Sequence, residues 1–419
     1  MNSFATWSHN TFSSLRVRNY RLYYTGQVIS TSGTFMQSVA QAWLVLQLTH
    51  SGTELGLVSA LQFLPVLLLS PFGGVIADRF PKRTLLLITQ SAFGVLALIL
   101  GALVATNLVQ LWMIQVLAFS YGLVNVVDNP TRQSFVVEMV GESELRNAVT
   151  LYSSLVNLSR VIGPTIAAII IATISLAPCF ILNGLSYAAV IIMLAAIRTR
   201  ELHTHALAPR KGSQILAGFR YVASTPLLRN VLLMMALIGT FTFEFQVSLP
   251  LMAEGTFHGD ASSYAALTSA MGLGAVAGGL TTAGQKRTGA NLLITAALLF
   301  GGTTVIASLM PNLALAVVAM VFVGFFSIYF TSLGNTTLQL ESDPQMRGRV
   351  MAFWSIAFLG STTIGGPIIG WVGEYIGPRW GLGIGGTAAL VAAGVGMLTL
   401  RISPRPPRPP AMTPPQSQA

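Results

Sequence analysis

Residues 54–106 read ELGLVSALQFLPVLLLSPFGGVIADRFPKRTLLLITQSAFGVLALILGALVAT. Two apolar runs, 54–77 and 84–106, flank one short polar turn, Asp78-Arg79-Phe80-Pro81-Lys82-Arg83. At about 1.5 Å per residue, each run is long enough to cross a hydrocarbon core of roughly 30 Å. No water is available there to pair with backbone groups, so each run must be helical. The unit is a transmembrane hairpin with its charge gathered in the turn.

The rest of the chain repeats that unit. Further apolar runs lie at 21–48, 109–129, 145–174 and 176–197, then at 227–252, 262–283, 289–309, 312–335, 347–375 and 380–401. The expected fold is an all-α integral membrane protein with twelve spans. Composition agrees: of 419 residues, 53% are hydrophobic and 9% charged, with a mean hydropathy of +0.68. Soluble domains carry about 25% charged residues. A cytosolic enzyme, a DNA-binding protein and a disordered scaffold are thereby excluded. Cys179 stands alone, which excludes a disulfide framework and a cysteine metal site.

A formal charge of +10 has its source in topology. With both termini inside, Arg379 alone lies outside, Arg160 lies within a span, and the other 21 of the 23 Lys and Arg are cytoplasmic. Glu54, Glu254, Asp260 and Glu374 fall outside. Such a bias is what the positive-inside rule produces. The expected surroundings are a lipid bilayer and no nucleic acid, in the cytoplasmic membrane. Trp7, His9, Arg16, Arg18 and Arg21 leave no apolar core for a signal peptide.

Polar stretches divide the chain into a cytoplasmic N-terminus (1–20), a six-span half (21–197), a cytoplasmic connector (198–226), a second six-span half (227–401) and a Pro-rich, disordered tail (402–419). His203 and His205 in the connector lack a third ligand, so no metal site is expected. The halves repeat in register. Gly73-Gly74 corresponds to Gly278-Gly279 at an offset of 205, and Asn129 and Gln133 to Asn335 and Gln339 at 206. Arg146 with Gly163-Pro164 corresponds to Arg349 with Gly366-Pro367 at 203, the Arg-to-Pro spacing being 18 in both. Duplicated halves around a midplane site are the build of many secondary transporters.

Gly74 through Asp78-Arg79 to Lys82-Arg83 resembles the major facilitator superfamily signature G-x-x-x-D-[RK]-x-G-[RK]-[RK], with Pro81 in place of its second glycine. Arg160-Val161-Ile162-Gly163-Pro164 is similar to the Gly-Pro motif of antiporters, although Ala167 and Ala168 replace its later glycines. Asp128-Asn129-Pro130-Thr131-Arg132 and Arg347-Gly348-Arg349 resemble the branch with enterobactin exporters and macrolide-efflux proteins. The likeness covers about residues 15–400. It implies drug or metabolite efflux, a cavity ringed by the first, fourth, seventh and tenth spans, and a conformational latch. That latch comprises Gly74, Asp78, Arg79, Lys82, Arg83, Arg132, Gly163 and Pro164; Ala283 stands where the second half would repeat Asp78, while Lys286 and Arg287 are kept.

No phosphate-binding G-x-x-x-x-G-K-[ST] loop occurs, so transport would draw on an ion gradient and no cofactor. Gly272-Leu273-Gly274 and Gly381-Leu382-Gly383 sit inside spans, where small residues let helices approach. Asn157-Leu158-Ser159 matches a glycosylation sequon but lies in a span. Gln27, Thr31, Thr34, Ser38 and Gln41 form one face of the first span, either interhelical glue or a cavity wall. Gln115, Gly122, Asn125 and Asn129 draw a similar line on the fourth.

Glu244, within Phe241-Thr242-Phe243-Glu244-Phe245-Gln246, is the acid deepest in a span. A charged carboxylate at mid-depth costs about 3 kcal/mol, so it is a proton carrier, a structural hydrogen-bonding group or a contact for a cationic substrate. Arg160 is the other intramembrane charge, with Asp128 as its expected partner, in a structural clamp or in gating and proton coupling. Phe241, Phe243, Phe245 and Met252 suit bulky apolar substrates better than sugars. The expected function is proton-coupled export of small amphipathic molecules by a monomer, against a nutrient importer or a non-transporting sensor.

Overall fold

A computed structural model describes residues 12–203, 214–283, 289–343 and 346–400. The described residues are almost wholly helical and contain no strand. Ten helices among them are long and apolar enough to cross a membrane. One of these, Leu111–Thr173, runs for 63 residues, far beyond a bilayer, and breaks at Gly141, where φ is 70° and ψ 177°. A left-handed φ of that kind suits glycine, and the chain reverses there between the fourth and fifth spans. The first span, Arg18–Thr49, is a 32-residue helix whose polar face keeps it below the apolar threshold. The described residues thus hold ten such helices against the expected twelve, with the long helix divided at Gly141 and Arg18–Thr49 standing beside them.

The remaining spans are Gly52–Arg79, Lys82–Ala105, Ala177–Ala195, Ala261–Ala283, Ala290–Ser308, Leu313–Glu341 and Pro378–Leu400, together with two interrupted ones. The seventh is built from Pro226–Phe241 and Phe245–Gly255. The eleventh passes from Arg347–Ser355 through a π-helical turn, Ile356–Gly360, into Thr362–Tyr375. The connector holds a short helix, Gln214–Ser224. His205, Arg210, Lys211, Lys286, Arg287 and the tail from 401 onward, on which the sequence reading also touched, lie outside the described residues.

The repeat reappears as packing. A Cβ on Gly73 would fall 2.0 Å from the Val126 carbonyl, so the second span lies backbone to backbone on the fourth. One on Gly278 would fall 2.4 Å from the Phe325 carbonyl and sets the eighth on the tenth in the same way. Gln133 donates to Asn129 at 3.1 Å, and Gln339 to Asn335 at 2.6 Å, one helical turn apart in each half. Close approach through small residues replaces the hydrophobic drive that lipid removes.

Contacts between the halves collect at the end remote from the first span's N-terminus. The Ser51 hydroxyl donates to Glu374 at 2.7 Å, the Thr53 N–H reaches the same carboxylate at 2.9 Å, and His50 lies 3.2 Å from Glu254. Gly52 and Gly56 of the second span face Gly370 and Gly366 of the eleventh, and a Cβ on Gly56 would meet the Gly366 carbonyl at 2.2 Å. Thr165 of the fifth span and Ser269 of the eighth share a hydroxyl contact at 3.1 Å. Just outside the spans, Asp260 accepts from the Ser263 N–H at 3.1 Å and starts the eighth span, while the Ser262 hydroxyl holds its carboxyl below the ordinary value.

Candidate functional site

Two chambers share Ser38, Ser59 and Gln246; the first is walled by the first half with Gln246 alone from the second half, and the second lies between the halves. The first, about 50 Å³ in volume, is polar: Thr34, Gln37 and Gln41 of the first span face Gln62, Tyr121 and Asn183. Asn183 donates to Gln37 at 2.7 Å, and the Thr34 and Tyr187 hydroxyls lie 3.1 Å apart. The second, about 200 Å³ in volume, is aromatic and charged: Phe35, Phe63, Phe243, Phe245 and Phe358 surround Arg160, Glu244, Tyr264 and Thr362. Phe243 is the hub, its ring centroid 5.1 Å from that of Phe358 and 5.4 Å from that of Phe300.

Glu244 sits at the break in the seventh span, with φ −82° and ψ 39°. The break is accompanied by a tertiary contact and a nearby proline. Thr242 turns its hydroxyl to the Gly385 carbonyl of the twelfth span, at 2.7 Å, and Pro250 withdraws the N–H that would take the Gln246 carbonyl. Glu244 is 2% exposed, and its Oε1 has no hydrogen-bond partner. The Thr362 side chain stands beside the carboxyl. Gly365 makes room for it, since a Cβ there would lie 2.9 Å from Oε1 and 1.7 Å from the Thr240 carbonyl. A buried carboxyl oxygen without a donor, in a cavity, is a group held ready for a proton or a ligand.

The expected Asp128–Arg160 pair does not form. Asp128, 1% exposed, is bound by Arg132, one turn further along its own helix, and accepts from Thr89 and Gln90 of the third span, each at 2.7 Å. An i,i+4 partner on the same helix needs no second element to bring it close, and it wins. Arg132, expected in the latch, belongs to this buried network, where it donates to Gln27 at 3.1 Å and to the Tyr152 hydroxyl at 2.8 Å. Arg160 instead faces the aromatic chamber, its guanidinium carbon 5.8 Å from the centroid of the Phe35 ring.

Of the polar stripe on the first span, Thr34, Ser38 and Gln41 line the cavity, whereas Gln27 is sealed against Arg132 and Thr31 lines neither chamber. Gln115 donates to Glu54 at 3.0 Å, away from both chambers. Asn125 and Phe241 are half-buried and line neither chamber; Glu244 and Phe245 line the second. Gly163, read as part of the latch, is a crossing point: a Cβ on it would lie 2.7 Å from the Ser32 carbonyl and 2.6 Å from the Phe35 Cβ. Lys82 pairs with Glu138 at the end of the fourth span, and Arg83 donates to the Leu194 and Ala195 carbonyls that end the sixth, at 2.7 and 2.8 Å. Asp78 and Gly74 are half-buried beside this cluster, with Arg79 exposed. Gln37, Gln62, Gln246 and Thr362 were missed. Gln246 had a readable signal, lying two residues from Glu244 in an apolar run.

A multi-spanning helical chain that encloses a cavity between its halves fits a membrane transporter of the major facilitator type. The chain belongs to the transmembrane secretion effector family of that superfamily, whose family model matches residues 9–408. It is 26% identical over 388 residues to the enterobactin exporter EntS of Citrobacter koseri, covering 91% of each chain. It is also 22% identical over 339 residues to the staphyloferrin A transporter of Staphylococcus aureus, covering 79% of this chain and 84% of that one. Among solved structures it resembles a bacterial homolog of the human lysosomal transporter Spinster, in an inward-facing and unoccupied conformation. The TM-score there is 0.74 at 14% identity, over 92% of this chain and 97% of that one. The nucleoside transporter NupG gives 0.66 at 13%, over 91% and 97%.

Proposed function

We propose that the chain exports amphipathic small molecules (drugs, siderophores or metabolites) across the cytoplasmic membrane in exchange for protons, by alternating access. The carrying observation is the buried, unpartnered Oε1 of Glu244 at the break of a span, inside the cavity between the halves. A carboxyl so placed can take a proton when the cavity faces one side and release it to the other. Two relatives are named an enterobactin exporter and a staphyloferrin A transporter, which supports a small-molecule cargo. One polar and one aromatic chamber suit an amphipathic molecule.

With both termini and the connector cytoplasmic, the joined ends at Ser51, Glu254 and Glu374 face outward. The monomer contains the whole cavity, and the proton gradient serves as the energy source without a further cofactor. The test is a substrate panel in everted vesicles, with a pH gradient imposed and then collapsed. Uptake into the vesicles that stops when the gradient collapses is the expected result. Uptake indifferent to the gradient removes proton exchange, and accumulation only in right-side-out vesicles makes the protein an importer.

A further inference from the structure

Arg160 lines the aromatic chamber without a counter-ion. Among the described residues its guanidinium makes no ion pair and no hydrogen bond, and its one directed contact is with the face of Phe35. Asp128, the acid that sequence offered it, is taken by Arg132, Thr89 and Gln90. Glu244 lines the same chamber but does not pair with it. A guanidinium presents five N–H donors in a planar fork that matches a carboxylate, and it stays charged at any physiological pH. A cation left so in a membrane interior calls for an anion from outside the chain.

The side chain is also held on rigid ground. A Cβ on Gly272 of the eighth span would lie 2.8 Å from the Arg160 carbonyl, and Gly163, one turn on, is locked against Ser32 and Phe35 of the first span. Arg160 therefore stands at a crossing of three helices, and its fork is offered from a fixed backbone.

Building on the transport-site reading of the cavity, we propose that Arg160 is its anion-binding residue and that the cargo is an amphipathic acid. A carboxylate or an ionised phenol pairs with the Arg160 fork, and the apolar body lies among Phe35, Phe63, Phe243 and Phe358. The polar remainder of the molecule reaches past Ser38 and Gln246 into the chamber of amides and hydroxyls. An organic cation is disfavoured, because it would share one chamber with Arg160.

The test is equilibrium binding to the purified full chain, with no gradient, using three fluorescent probes of one aromatic body: dansylglycine (anionic), dansylamide (neutral) and dansylcadaverine (cationic). Wild type should bind dansylglycine at least about tenfold more tightly than dansylcadaverine. Arg160→Gln should weaken dansylglycine about tenfold and leave dansylamide within about twofold, with Arg160→Lys between wild type and Gln. Competition by 2-naphthoate assigns the anion as carboxylate, and competition by 2,3-dihydroxynaphthalene assigns it as phenolate. Equal affinity for the three probes, a preference for the cation, or a parallel loss of all three in Arg160→Gln would overturn the proposal. The charge order in wild type needs no variant, so misfolding cannot hide the answer. A chain that binds the acid but ignores a pH gradient in vesicles loses proton exchange and keeps the anion site; one that pumps only cations does the reverse.

Discussion

Asp128 is shielded from solvent almost completely, and its charge is met by a guanidinium, a hydroxyl and an amide. Taking away one partner of a buried pair leaves the other uncompensated, at about 3–5 kcal/mol. Arg132→Ala should therefore lower the melting temperature of the purified protein markedly, and Arg132→Gln with Asp128→Asn should recover much of the loss. Equal melting of Arg132→Ala and wild type would show that the pair carries no stability. Glu244 makes the opposite case, since its Oε1 has nothing to lose. Glu244→Gln keeps shape and hydrogen bonding but cannot cycle a proton. It should abolish pH-driven accumulation while leaving substrate binding within a fewfold of wild type; uphill transport by the mutant would make Glu244 structural. Glu244 was legible in the sequence because an acid inside an apolar run is costly and stands out. The partner of Asp128 was legible too, four residues on, but neighbouring spans drew attention to Arg160. What could not be read was the freedom of Arg160, since an unpaired charge is defined by every other side chain around it.

At the scale of the helix, glycines decide which spans can touch. Gly56 and Gly366 let the second and eleventh spans meet backbone to backbone at the joined end of the halves. Forcing a side chain into such a contact costs about 1–3 kcal/mol, and a change of 1.4 kcal/mol shifts a two-state equilibrium tenfold. Gly56→Val should therefore favour the state open at the His50–Glu374 end. A cysteine at Ser59, which faces both chambers, should then react about tenfold faster with a membrane-impermeant thiol reagent applied at that end. Unchanged labelling would mean that the joined end is held by its polar contacts alone. Span positions and the paired glycines were visible from hydropathy and spacing. The break at Glu244 was not, because part of its cause is tertiary: Thr242 is drawn to a carbonyl 143 residues away. The π-helical turn at Ile356–Gly360 likewise has no local sequence mark.

At the scale of the molecule, transport by alternating access requires the two halves to move as bodies, so any bond that ties them in one state should stop the cycle. Thr165 and Ser269 offer the cleanest place for such a bond. Their hydroxyls are 3.1 Å apart, each one bond from its Cβ, across the crossing of the fifth and eighth spans. A disulfide needs Cβ atoms about 3.5–4.5 Å apart, and hydroxyls in contact hold the two Cβ atoms within about 6 Å, so a small helix shift closes the bond. Cys179, the single native thiol, is fully buried on the sixth span, so a Cys179→Ala background removes its chemistry at little cost. In that background Thr165→Cys with Ser269→Cys should cross-link under mild oxidant, lose transport, and regain it on reduction. Substrate binding from the open side should survive the cross-link, because neither residue belongs to the polar chamber and neither carries charge. Full transport by the cross-linked protein would mean that these helices do not part during the cycle, and the moving boundary would have to be sought between the second and eleventh spans instead.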